Sequence, residues 1–481
     1  MSFRLRMAIS VIVAVLVVGT GTAFERVLGN RPLEPSAVPV AAESSGAWFC
    51  PHGGGDGWRA WVVAANPGDR EADVTLTTLT RGKPQTEQDA VPPHTERYFE
   101  VPSEGMASAT LLEYFGPPVV AGMVTERPDG EGLAAEPCAD DAGRRWLVPE
   151  GTSVRGQSAH LVVVNPFAEE AVIDVLLVTE GETIRHGNLQ GVVVEPYRAA
   201  AFELNRFALG EETLTADVRV GLGRVAVAGL GVGTDQGLRS LLGVTVPATS
   251  WVMPAAGDAD PTRVTVEAAS SSDVPFQVLT QGSEGSKVVL EEESVRGRSA
   301  ETLEVPHEGD GVVVAGTGST PFVAGRRLAP PAPESPQEEP QRRKGKGKGG
   351  KEQRAAPPPR DLAATAGLPE GSRTSMVVSP LPHEGGASRL VLENAGAGRA
   401  VGWISLLGED GPVGDPIDFT LEPGHTMSSA LTEEGGQPLT AIVRLSSGTV
   451  APAQVATVDG GYAVSRGIPV EGDMAIGAVG I

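Results

Sequence analysis

A short string recurs at intervals close to a hundred residues, and it constrains the fold more than any other feature. Trp48-Phe49-Cys50-Pro51 is echoed by Trp146-Leu147-Val148-Pro149 and by Trp251-Val252-Met253-Pro254. A fourth copy, Met376-Val377-Val378-Ser379-Pro380, lacks the Trp. The Trp-to-Trp spacings are 98 and 105 residues. Behind each anchor comes an apolar run of strand length, at 60–65, 159–164, 263–268 and 388–393. Three of these runs end in Asn66, Asn165 and Asn394, which lie 15, 16 and 14 residues after the anchor Pro. The Pro after Asn66 and Asn165 cannot donate into a ladder, so it ends the strand. The Asn before it caps the turn with its own side chain.

The next run, 72–78 (ADVTLTT), alternates apolar and polar residues, as a strand with one buried face does. Each copy continues through short Val-rich runs with turns every 8–12 residues and without a clear amphipathic helix. Gly (62) and Pro (39) exceed a fifth of the chain, which suits many turns. The expected fold is all-β: tandem immunoglobulin-like β-sandwich domains after one N-terminal transmembrane helix or signal peptide. The expected layout is an anchor at 1–24, a Pro/Ala-rich spacer at 25–45, sandwiches at 46–145, 146–250, 251–328 and 373–481, and a linker at 329–372.

Arg4 and Arg6 precede the uncharged apolar run 7–24. A basic flank before such a run points to export. Either the run stays as a single-pass anchor in the plasma membrane, or Gly21-Thr22-Ala23 serves as a cleavage site and the protein is secreted. In both cases the bulk is expected outside the cytoplasm. The two cysteines, Cys50 and Cys138, lie near the start and the end of the first candidate sandwich. In an exported chain such a pair reads as a disulfide, worth about 4 kcal/mol in the chain-entropy picture.

The formal net charge is −23, which argues against a nucleic-acid partner. The linker is the local exception. It carries Arg342, Arg343, Lys344, Lys346, Lys348 and Lys351, and so holds four of the chain's six Lys. Its Pro, Gly and charge content reads as disorder, and its cations suit contact with an anionic envelope polymer or lipid.

Chemical signatures are missing. There is no Gly-x-Ser-x-Gly elbow and no phosphate loop of the Gly-x-x-x-x-Gly-Lys type. Gly229, Gly231 and Gly233 read as strand-end glycines, and the seven His read as surface-loop residues without ligand spacing. No enzyme activity, cofactor or metal is expected. The recurring Trp residues read as packing. Trp58, Arg59 and Trp61 differ, because they follow the Gly-rich string HGGGDG at 52–57; they form the candidate binding face.

The Trp-x-Cys-Pro opening, the Val/Ala-rich strands ending in Asn-Pro and the Trp-hydrophobic-x-Pro restarts resemble a family of exported, membrane-anchored actinobacterial proteins of unknown function. That resemblance implies no activity and no catalytic residues. The expected role is a non-enzymatic envelope protein, a membrane-tethered scaffold or binding rod. A cell-wall glycan-binding protein and an envelope hydrolase are the alternatives. The expected partners are the plasma membrane, through the N-terminal segment, and an envelope polymer or protein.

Overall fold

The computed structural model describes residues 44–128, 132–233, 237–254, 262–306, 309–328, 363–369, 371–383, 385–432, 436–458 and 461–470. The expected anchor at 1–24 and the six linker cations lie outside the described residues. The fold is nearly all β. Among the described residues there is no α-helix, and therefore no helix long and apolar enough to cross a membrane.

Four β-sandwiches follow one plan. In the first, one sheet runs Ser44–Cys50, Ala109–Gly116, Ala72–Leu79, Gln85–Val91. The other runs Thr95–Val101, Arg59–Asn66, Val120–Glu126, Leu133–Pro137. Numbered along the chain, the strand orders are 1-6-3-4 and 5-2-7-8, and the later sandwiches repeat them. The fourth strand of the second sandwich is split in two, and the fourth sandwich adds Ile468–Pro469 beside its first strand. Strands two and five share one sheet and strands three and six the other, as in immunoglobulin domains. The plan departs from that fold in placing strand one beside strand six and in adding an eighth strand.

The repeat string has a structural reason. Trp48, Trp146 and Trp251 lie on first strands, opposite Leu112, Val218 and Val314. Each indole N–H donates to the carbonyl just before strand seven, at Val119 (2.7 Å), Val225 (2.6 Å) and Phe322 (2.9 Å). A buried indole needs such an acceptor. In the fourth copy Ser375 occupies the Trp register. The three Asn side chains act as staples. Asn66 Nδ2 donates to the carbonyls of Arg70 (2.7 Å) and Val91 (2.9 Å), and its Oδ1 accepts from Gly68 N–H (2.9 Å). Asn165 and Asn394 repeat the pattern, each tying the turn after strand two to the strand-four end. Cys50 and Cys138 form the expected disulfide, between strand one and the residue after strand eight.

The sandwiches do not form the expected rod. The eighth strands Leu133–Pro137, Leu238–Leu242, Ala363–Ala366 and Gly461–Arg466 pack in cyclic order, the last against the first, so the described parts of the four sandwiches close into a ring. The reason lies in strand two. It is buried at every position from Ala60 to Asn66 and from Leu161 to Asn165, so its sheet is covered on both faces. Small side chains such as Ala134, Ala135, Ala364 and Ala366 let the four strands approach at the axis.

The expected linker boundary also shifts. Ala363–Ala366 is the eighth strand of the third sandwich, antiparallel to Val323–Leu328. Residues 329–362 therefore interrupt the third sandwich and do not separate two finished ones. A four-residue Ala/Thr strand is too short to carry a periodicity signal beside Pro-rich sequence.

Candidate functional site

The Gly-rich loop after the first anchor is held by backbone bonds. Gly53 N–H donates to Ser108 O and Gly55 N–H to Ser103 O, both at 2.9 Å. Gly54 passes so close to Ser103 O that an added Cβ would lie 2.0 Å away, so only Gly fits. His52 is fully buried and not on the surface as expected. Its ring contacts Gly53 O (2.7 Å) and the Thr110 hydroxyl (3.1 Å). Burial pushes its pKa down to about 4, which leaves it neutral and structural at pH 7.

This loop walls a groove over one end of the first sandwich. One part, of about 640 Å³, lies between the hairpin of strands three and four and the loop after strand five, and includes Thr80, Arg81, Lys83 and Ser108. An adjoining part of about 520 Å³ includes Gly55, Trp58, Arg59 and Glu100, and the two share Pro102 and Glu104. Arg81 and Lys83 are exposed and Trp58 is half-buried. Arg59 meets Glu100 with two hydrogen bonds, of 3.0 and 2.9 Å, and its guanidinium lies 4.6 Å from the Trp61 ring centre. The predicted face is therefore divided. Trp58 and Arg59 line the groove, while Trp61 is 4% exposed and turns its ring against His383 of the fourth sandwich. Sequence reading missed Arg81, Lys83 and Ser108, because only the fold brings two loops onto the Gly-rich string.

A second set of polar groups is buried between sandwiches. Arg327 lies 2.9 Å from Glu150 of the second sandwich, with both side chains at most 2% exposed, and donates to Glu212 (3.0 Å). Arg466 of the fourth sandwich donates to Glu136 of the first at 3.2 Å. Burial pushes Glu136 up to about 8, opposed by Arg466, the Leu242 backbone and the Thr365 hydroxyl. Burial likewise pushes Glu96, Glu267 and Glu393 up to about 8. Each faces a neighbouring sandwich, through Thr440, Asp217 and Arg326 respectively. Among the described residues no group of three or more His, Cys, Asp or Glu is arranged to hold a metal ion.

No curated protein matches the chain. Residues 105–340, just under half of the sequence, match the model of a family of unknown function (DUF5719). The match takes in the second sandwich and most of the third and leaves Trp58 and Arg59 outside; over that stretch the chain is similar to a family to which no activity is attached.

Proposed function

We propose that this protein is a non-enzymatic, membrane-tethered component of the cell envelope, and that its ring presents the first-sandwich groove to an envelope glycan. The observation that carries the reading is the groove itself, with the half-buried Trp58 ring at one end and the exposed Arg81 and Lys83 at the other. An indole offers a flat apolar face to a sugar ring, while Arg, Lys, Thr and Ser supply hydrogen bonds and positive charge to an acidic one. The disulfide fits an oxidising compartment outside the cytoplasm, and the basic-then-apolar N-terminus fits export.

Co-sedimentation of the full-length protein with purified, insoluble cell-wall polymer tests the reading. The wild type is expected to sediment with the polymer, and Trp58→Ala with Lys83→Glu is expected to weaken retention at least tenfold at unchanged thermal stability. Retention that both changes leave intact would sink the groove. Release of soluble sugar from the polymer would replace this reading with the hydrolase.

A further inference from the structure

All four sandwiches contribute to a cavity of about 360 Å³ on the ring axis, separate from the groove. Its walls are the four segments that leave the eighth strands. Apolar side chains, Val244, Leu368, Pro369 and Pro469 among them, make up much of the lining, beside the polar Thr245. The edges of Trp48, Trp146 and Trp251 also reach it. The prolines remove backbone N–H donors from the wall, so the wall suits a ligand that asks for no hydrogen bonds along its length. Among the described lining residues one side chain is cationic: Arg466, 12% exposed. Its Nε is taken by Glu136, which is completely buried. That bond uses Nε, and Arg466 itself lines the cavity. Asp140 and Asp141 are exposed lining residues, and Asp141 lies 3.7 Å from Arg224.

We propose that this axial cavity binds the acyl chain of an amphiphilic carboxylate, with the carboxylate on the outward edge of Arg466. A guanidinium edge matches a carboxylate in two parallel bonds. An alkyl chain gains by leaving water for a wall of Val, Leu and Pro. A peptide would leave its own amides unpaired against the same wall. Neither the groove nor the proposed function is needed for this site.

The test uses 11-bromoundecanoate, whose bromine quenches indoles at contact, on the full-length protein. Saturable quenching is expected, because three Trp residues line the cavity, and undecanol is expected to compete more weakly than undecanoate. Arg466→Gln combined with Glu136→Gln keeps a hydrogen-bonded neutral pair. It is expected to lower carboxylate affinity at least tenfold and leave the alcohol unchanged. Should that variant fail to fold, Val244→Tyr, at a half-buried position in the wall, is expected to abolish quenching by filling the cavity. Unsaturable quenching, or binding that persists in Val244→Tyr, would overturn the site. Equal loss of acid and alcohol in the double variant would overturn the role of Arg466.

Discussion

Replacement of Arg327 by Met is expected to lower the unfolding free energy by about 3–5 kcal/mol, the usual cost of stranding one member of a buried ion pair. Arg327 is 1% exposed in its side chain and Glu150 2%, and they belong to different sandwiches. Without the guanidinium, the Glu150 carboxylate keeps its burial and loses its counter-charge. Arg327→Met combined with Glu150→Leu removes both charges and leaves an apolar contact of similar volume. The double variant is expected to recover most of the loss, since buried pairs exchanged whole for hydrophobic residues are often neutral or better. Urea unfolding of the two single variants and the double variant checks this. Equal destabilisation in single and double variants would mean that packing, and not the stranded charge, sets the cost.

Raising the pH from 6.5 to 8 is expected to destabilise the ring. Glu96 and Glu267 have an ordinary value of 4.5 and are pushed up to about 8, chiefly by burial. Glu96 faces Tyr98, Thr440 and Glu409; Glu267 faces Asp217, Thr215, Arg145 and Arg219. Below 4.5 each carboxyl is protonated in both the folded and the unfolded chain, so its contribution is fully present. Above 4.5 the unfolded chain releases the proton and the folded chain keeps it. Stability therefore falls with pH until the folded carboxyl ionises near 8. His52 works the other way, since it is pushed down to about 4, but its unfolded value of 6.5 places its effect below this window. At about 1.4 kcal/mol per pH unit for each group, the two carboxyls cost on the order of 3 kcal/mol between pH 6.5 and 8. Glu136 and Glu393, also pushed up to about 8, add to the same fall, so Glu96→Gln with Glu267→Gln is expected to reduce the slope by about half in thermal melts; an unchanged slope would assign it to other groups.

The sandwich units were legible because their signals are local. The Trp strings mark first strands whose indoles bond across the fold, and the Asn residues staple the turns they were read to cap. The cysteine pair also needed only its even number and the expectation of export. Ring closure was harder, although a trace of it stood in the sequence. Runs such as Ala60–Asn66 do not alternate, and unbroken apolar runs belong to sheets covered on both faces. What covers those faces is hidden in the eighth strands. Leu133–Pro137, Leu238–Leu242 and Ala363–Ala366 are short, and they place Glu136, Arg239 and Thr365 in the interior, where polarity patterns assign solvent. The candidate face was half legible for a related reason. Trp58 and Trp61 look alike in sequence, and only contact with His383, more than three hundred residues away, separates the wall of a groove from a packed interface.

Closure of the ring is tested most directly between the first and fourth sandwiches. A Cβ placed on Gly122 would lie 3.1 Å from the Val378 Cβ, near the separation a disulfide requires. The protein carrying Gly122→Cys and Val378→Cys is expected to form that cross-link within one chain on mild oxidation, seen as a peptide joining residues 122 and 378 in non-reducing mass spectrometry. Free thiols at both positions, or links found only between separate chains, would contradict a closed ring and return the sandwiches to an open string.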